Sequence, residues 1–208
     1  MDKGDDKDLL ERWVRLMNKG QGYAGVFNYE NVNDKRIVEL STVQEWCESI
    51  EAEYGVVLGV PQPNLNDPPD FFVSLEGRRL NVELVQMVGQ EHKKRAVKGE
   101  SPYSGQLFLD VQWSKERLIA KLSELIIDKG KKYRKLGLEI DVLVIHTAEL
   151  WLNSRDALSW LSDVCIEGHE NIHAVFLIFE YEPGRQVNHW PIMSIYCNLA
   201  EFSVDKSN

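Results

Sequence analysis

The chain has 208 residues, of which 43% are hydrophobic, and a formal net charge of −9. This length and composition suit one globular domain with a single core, and no stretch approaches the roughly 20 apolar residues of a membrane span. The first residues are acidic and hydrophilic, unlike a signal peptide, and Cys47, Cys165 and Cys197 lie in apolar sequence typical of reduced core thiols. We therefore predict one cytoplasmic domain over residues 1–208, flexible at 1–8, without a membrane partner.

The first predicted element is a helix for which Ser41 or Thr42 is the candidate N-cap. Apolar residues recur along it at helical spacing and predict one buried face. These residues are Val43, Trp46, Cys47, Ile50 and Tyr54.

A β-hairpin that carries two acids follows this helix. The segments 71–73 and 80–88 are rich in strand-forming residues, and Glu76-Gly77-Arg78 between them has the chemistry of a hairpin turn. Asp70 precedes the first strand and Glu83 lies within the second, both beside apolar residues. Carboxylates brought together near a core need a compensating cation, and Mg²⁺ binds carboxylate oxygens while keeping water and phosphate oxygens. We predict an Mg²⁺ site at Asp70 and Glu83, with Mn²⁺ as the alternative ion.

Pro69-Asp70, a short hairpin and Glu83 in an apolar strand resemble the core of the PD-(D/E)XK nuclease superfamily. The resemblance covers about residues 41–180. It implies a restriction-endonuclease-like core that hydrolyses phosphodiester bonds in DNA, with Asp70 and Glu83 as catalytic metal ligands.

The chain departs from that pattern at Val85, where the superfamily usually has the lysine of its Glu-x-Lys triplet. Gln86 is the nearest polar residue, but strand alternation places it on the face opposite Glu83 unless a bulge intervenes. A glutamate of the first helix is a candidate to complete the site, and the sequence does not choose between Glu48 and Glu51.

Basic residues are concentrated directly after the hairpin. Residues 89–135 contain 12 basic and 6 acidic residues, whereas the other 161 contain 12 basic and 27 acidic. Because affinity for nucleic acid comes mostly from lysine and arginine, this segment predicts a DNA-binding surface in spite of the net charge. The alternative is a solvated, mobile loop with no ligand. The predicted contacts are Lys93, Lys94, Arg95, Lys98 and Lys132.

An amphipathic helix is predicted from Ser114 to about Tyr133, with Ser114 as its N-cap. Lys129 falls within its apolar face. A lysine there either extends its ammonium into solvent or reaches the acids and supplies the missing cation, as in superfamily members whose lysine lies on another element. We predict the second role for Lys129; Lys121 and Lys132 are the substitutes if Lys129 is solvated.

The rest of the chain alternates strands and helices. Strands are predicted at 141–146, 174–179 and 192–197, and a helix at 154–165. The continuous apolar runs are typical of strands that are covered on both faces. This order predicts an α/β fold in which helices sandwich a mixed central sheet.

A rival motif is His169-Glu170-Asn171-Ile172-His173, which matches the His-Glu-x-x-His pattern of zinc peptidases. That pattern places two imidazoles on one metal only when it lies on a helix. Gly168 before it and an apolar strand after it indicate a loop instead. The candidate third ligands are Glu180, Glu182 and His189, and Cys165 with the two histidines is an opportunistic metal site.

These patterns predict a metal-dependent nuclease that acts on DNA. The alternative is a catalytically degraded adaptor with the same fold, which Val85 favours and the retention of Asp70 and Glu83 disfavours. A zinc metallopeptidase ranks below both, and assembly into a homodimer stays open.

Overall fold

The computed structural model of the chain describes residues 32–89, 112–149, 151–180, 182, 184–185 and 187–199. Three helices and six strands lie within these ranges, and none of these helices has the length and apolarity needed to cross a membrane. In chain order they are α1 (Val32–Tyr54), β1 (Gln62–Pro63), β2 (Phe71–Leu75), β3 (Arg78–Gln86), α2 (Lys115–Leu136), β4 (Ile140–Thr147), α3 (Ser154–Leu161), β5 (Ile172–Phe179) and β6 (Ile192–Cys197).

The strands form one mixed sheet in the order β1-β2-β3-β4-β5-β6. β1, β2 and β3 pair antiparallel, β3, β4 and β5 pair parallel, and β6 is antiparallel to β5. The central strands β4 and β5 are buried almost throughout, which is why they are continuous apolar runs. The predicted α/β fold with a mixed central sheet is confirmed.

The sheet separates two apolar layers. On one face, Trp46 of α1 packs in a cluster with Val82 and Leu84 of β3. On the other face, α2 and α3 cover the sheet through a second cluster that includes Leu122 and Ala157. Because side chains alternate along a strand, Glu83 of β3 points toward α2 and away from α1.

The β2–β3 hairpin turns through Glu76 and Gly77, whose φ angles are 49° and 83°. Two consecutive residues with positive φ are the signature of a type I′ turn, whose twist matches that of the strands. The register pairs Phe71 with Val82, so the next pair along the ladder is Asp70 with Glu83. The turn therefore brings the two predicted acids together.

Two helices have ends that differ from the predicted ones. α1 begins at Val32, upstream of Ser41. Thr42 lies within the helix and does not cap it, since its Oγ1 donates to the Val38 carbonyl at 2.8 Å. α3 ends at Leu161 and leaves Cys165 outside it. Cys165 is exposed, as is Cys197, so the prediction of core thiols is correct only for Cys47. The predicted N-cap Ser114 is confirmed: its side chain accepts from Arg117 N.

His146 of β4 is a titratable group inside the core. Its side chain is 1% exposed, its ring stacks on Trp190 with centroids 5.4 Å apart, and its Nε2 lies 3.8 Å from Glu180 Oε1. Burial lowers the pKa of His146 from 6.5 to about 3 and raises the pKa of Glu180. The imidazole is therefore neutral in the folded protein at neutral pH.

We expect this histidine to make the fold acid-sensitive. Between pH 6.5 and about 3 the unfolded chain binds a proton that the folded chain does not, so the free energy of unfolding falls as pH falls. From pH 7.5 to pH 5 this loss is about 2 kcal/mol. Urea unfolding of wild type and His146→Phe at both values tests it. The variant should lose that part of the pH dependence, and equal pH dependence in both proteins would contradict the expectation.

Candidate metal centre

The loop between β1 and β2, residues 64–70, is held closed by Asn64. The Asn64 side-chain amide donates to the Pro69 carbonyl at 2.8 Å, and its backbone N–H donates to the Asp70 carbonyl at 2.9 Å. Its side-chain oxygen accepts from Asn66 N at 3.0 Å. The first two of these hydrogen bonds join the first residue of the loop to its last two residues. They therefore hold Asp67 and Asp70 at a defined place beside β3.

Asp67, Asp70 and Glu83 form a group that can hold a metal ion. One carboxylate oxygen of each lies within 4.8 Å of the others. Glu83 is 1% exposed, Asp70 is half-buried and Asp67 is exposed. Asp70 Oδ2 also accepts the N–H of Leu84 at 2.9 Å. The hairpin and the loop together therefore assemble three acids at the N-terminal end of β2.

Two side chains of α2 complete the surroundings of Glu83. Lys129 Nζ donates to Glu83 Oε1, and the Tyr133 hydroxyl donates to Glu83 Oε2. The two donors are four residues apart and therefore lie on the same face of the helix. Lys129 thus reaches the acids rather than extending into solvent, and its side chain is 22% exposed. Lys132 Nζ lies 3.9 Å from Glu83 Oε1 with 48% of its side chain exposed.

The group is short of positive charge. Burial, followed by repulsion from Glu83, raises the pKa of Asp70 to about 7, although the Leu84 N–H bond and Lys129 act in the opposite direction. Burial and the bond to Glu83 also raise the pKa of Tyr133, so it remains a donor. Within the part of the chain that the structure describes, the three carboxylates have one hydrogen-bonded ammonium, that of Lys129, and a bound divalent cation would favour their ionised forms.

The donor set suits Mg²⁺ or Mn²⁺. All three ligand groups are carboxylates, which hard cations prefer, and no described thiol or imidazole belongs to the group. Opposite ligands of Mg²⁺ are about 4.2 Å apart at Mg–O distances of about 2.1 Å, so an oxygen spread of up to 4.8 Å needs only small side-chain movements. Each Glu83 oxygen has a second lone pair beyond the one that accepts from α2.

Other predicted partners lie away from the acids. Glu48 and Glu51 are exposed on α1, which packs on the face opposite Glu83, so neither completes the group and Asp67 takes that place. Val85 occupies the position of the triplet's lysine and supplies no cation. The β3–β4 register runs to Gln86 without a bulge, so Gln86 lies on the face opposite Glu83. Lys121 forms an exposed ion pair with Glu124 at 2.9 Å.

One of the five predicted DNA contacts lies within the described ranges of the chain, and four lie outside them. Lys93, Lys94, Arg95 and Lys98 lie outside them. The Lys132 ammonium lies 3.9 Å from Glu83 Oε1. The structure therefore places one predicted DNA contact next to the acidic group.

The His169–His173 segment has no helix. β5 begins at Ile172, and Asn171 has a φ of 73°. His169 stacks on Tyr196, whereas His173 Nε2 lies 3.3 Å from Glu139 Oε2, so the two imidazoles have separate partners.

The residues that were candidates for a third zinc ligand also have partners of their own. Glu182 accepts from the Ser154 N–H and hydroxyl, Glu180 lies near His146, and His189 lies 2.7 Å from Glu53. None of them, and not Cys165, joins a group of metal ligands within the described part of the chain.

Comparisons of this chain with protein-family models, with curated proteins and with solved structures give no match. The resemblance to the PD-(D/E)XK superfamily therefore stays a prediction.

Proposed function

We propose that this protein is a metal-dependent nuclease that hydrolyses phosphodiester bonds in DNA. The observation that carries the proposal is the convergence of Asp67, Asp70 and Glu83, with Lys129 hydrogen-bonded to Glu83. Asp67, Asp70 and Glu83 would hold Mg²⁺ or Mn²⁺. A bound ion of this kind polarises a phosphoryl oxygen and lowers the pKa of its water.

The residues of α2 support this chemistry in two ways. The Lys129 ammonium is held beside the acids, where a fixed positive charge stabilises negative charge that develops on a phosphate. The Tyr133 hydroxyl fixes the second oxygen of Glu83, and its fully buried ring keeps water from that side. Lys132, close to Glu83 yet half exposed, is positioned to meet a substrate phosphate.

Metal binding is the first property to test. At a metal concentration ten times Kd, Mg²⁺ or Mn²⁺ should raise the free energy of unfolding by about 1.4 kcal/mol, or Tm by about 3–5 °C. Glu83→Gln should lose this response, because the amide keeps an oxygen for Lys129 but lacks the charge that binds the ion. Glu76→Gln, the same change at the exposed hairpin turn, is the control and should respond like wild type. An equal response in all three proteins would contradict the assignment.

The second candidate is a DNA-binding adaptor with a degraded site. The observation that favours it is that both oxygens of Glu83 already accept hydrogen bonds from α2, so the folded protein does not require an ion there. Plasmid nicking and DNA binding, each with Mg²⁺ and with chelator, separate the two functions. A nuclease nicks only with metal; an adaptor nicks under neither condition and binds DNA equally in both.

A further inference from the structure

A cavity of about 430 Å³ lies next to the acidic group, between the first turns of α1 and the β1–β2 loop. Asp67 and Asp70 belong to its wall, so it opens directly onto the candidate metal centre. The remaining wall combines basic and apolar side chains. These side chains include Lys35, Arg36, Ile37, Leu40, Leu65 and Phe71.

One part of the wall is apolar. Ile37 and Leu65 are 68% and 81% exposed, and Leu40 and Phe71 extend the same lining toward the core. Enzymes that take a base out of its stack hold it between apolar side chains in a pocket. A cavity of roughly 300–1,000 Å³ is the size that a small ligand occupies, so this one has room for one nucleotide and not for stacked base pairs.

The other part of the wall is charged. Lys35 and Arg36 are exposed on the first turns of α1, and Lys35 Nζ lies 3.2 Å from Glu39 Oε1. Such a surface pair contributes little to stability, so the lysine can exchange Glu39 for a phosphate at low cost. Lys35 and Arg36 offer two positive charges against the three acids of the lining, Glu39, Asp67 and Asp70. An anionic ligand therefore fits only when a cation neutralises Asp67 and Asp70.

We propose that this cavity binds one unpaired nucleotide of the strand being cleaved, with its base against Leu65 and Ile37 and its phosphate near Lys35 and Arg36. The inference rests on the proposed nuclease function and narrows its substrate to single-stranded or locally unpaired DNA. A duplex must first unstack and unpair that nucleotide, which costs free energy that single-stranded DNA does not have to supply. Single-stranded DNA should therefore be cleaved at least about tenfold faster than the matched duplex.

Calorimetric titration with thymidine 5′-monophosphate in Mg²⁺ tests the cavity by itself. K35A/R36A should weaken binding about tenfold, because charge-assisted hydrogen bonds to the phosphate are lost. Leu65→Ser should weaken it about fivefold through lost apolar contact, and its 81% exposure makes the fold tolerant of the change. K115A/K135A removes two positive charges from exposed positions of α2 outside the cavity lining and should bind like wild type. Wild type should lose binding when the metal is chelated.

Two results would overturn the cavity assignment: nucleotide affinity in both cavity variants equal to that of K115A/K135A, or no nucleotide binding by wild type. Equal rates on matched single-stranded and duplex oligonucleotides would overturn the substrate assignment. Wild type that binds the nucleotide through these side chains but cleaves neither oligonucleotide would instead refute the nuclease function. The two proposals therefore fail separately.

Discussion

Asp70→Asn is expected to slow Mg²⁺-dependent DNA cleavage by about 10³-fold while leaving the protein folded. A metal ion contributes several kcal/mol to stabilisation of the transition state, and about 4 kcal/mol corresponds to 10³ in rate. Asparagine keeps a side-chain oxygen for the Leu84 N–H, which Asp70 accepts at 2.9 Å. It also removes one of three mutually repelling carboxylates, so the metal-free fold should be at least as stable as wild type.

Plasmid nicking at saturating Mg²⁺ measures this effect, and Tm without metal checks the fold. Glu76→Gln is the matched control, since it makes a carboxylate-to-amide change at an exposed residue of the same hairpin. It should nick at the wild-type rate. Wild-type nicking by a folded Asp70→Asn protein would remove Asp70 from the metal centre and with it the main support for the proposed function.

Lys129→Met is expected to lower the free energy of unfolding by about 3 kcal/mol at neutral pH. The change leaves the carboxylate of Glu83, which is 1% exposed, without its close ammonium. Among the described residues, the Tyr133 hydroxyl still donates to it and the Lys132 ammonium lies farther away. Removal of one partner from a buried ion pair is costly because the other charge stays in a poorly solvated place. Urea unfolding without metal measures the loss. Lys131→Met, at an exposed position of the same helix, should change stability by less than about 0.5 kcal/mol.

A double-mutant cycle with Glu83→Gln separates the ion pair from general effects on α2. When the carboxylate is already an amide, Lys129→Met should cost much less than it does in wild type. The coupling energy should therefore lie at the upper end of the roughly 0.5–3 kcal/mol seen for residues in contact. A coupling close to zero would mean that Lys129 does not stabilise Glu83. That result would also contradict the role proposed for Lys129 in cleavage.

Tertiary information was not needed for the features set by local rules. The hairpin turn follows from Gly77, which adopts positive φ without a steric cost, and the start of α2 follows from the Ser114 cap. The apolar runs of β4 and β5 indicated strands covered on both faces. Together they predicted the α/β class and the juxtaposition of Asp70 and Glu83. The start of α1 was missed because Thr42 has the chemistry of a cap but bonds back within the helix.

Features that depend on distant segments were decided by the tertiary structure alone. Asp67 joins the acids because Asn64 closes the β1–β2 loop; an acid three residues before Asp70 in a proline-rich turn was the only sequence signal for it. Tyr133 looked like an ordinary core residue, and its role depends on which face of the sheet α2 covers. The same choice of faces excludes Glu48 and Glu51.

The cavity lined by Lys35 and Arg36 is the clearest case of a feature that the sequence did not predict. Its wall joins the start of α1 to a loop some thirty residues later in the chain, and nothing in either segment indicates the other. Propensity, capping and turn chemistry act between neighbours in sequence and therefore appear in the sequence itself. Helix packing joins residues that are distant in sequence, because it depends on how whole apolar faces meet. The sequence by itself thus determined the described helices and strands other than β1, together with one pair of acids, and the packing of α1 and α2 around the sheet decided what surrounds those acids.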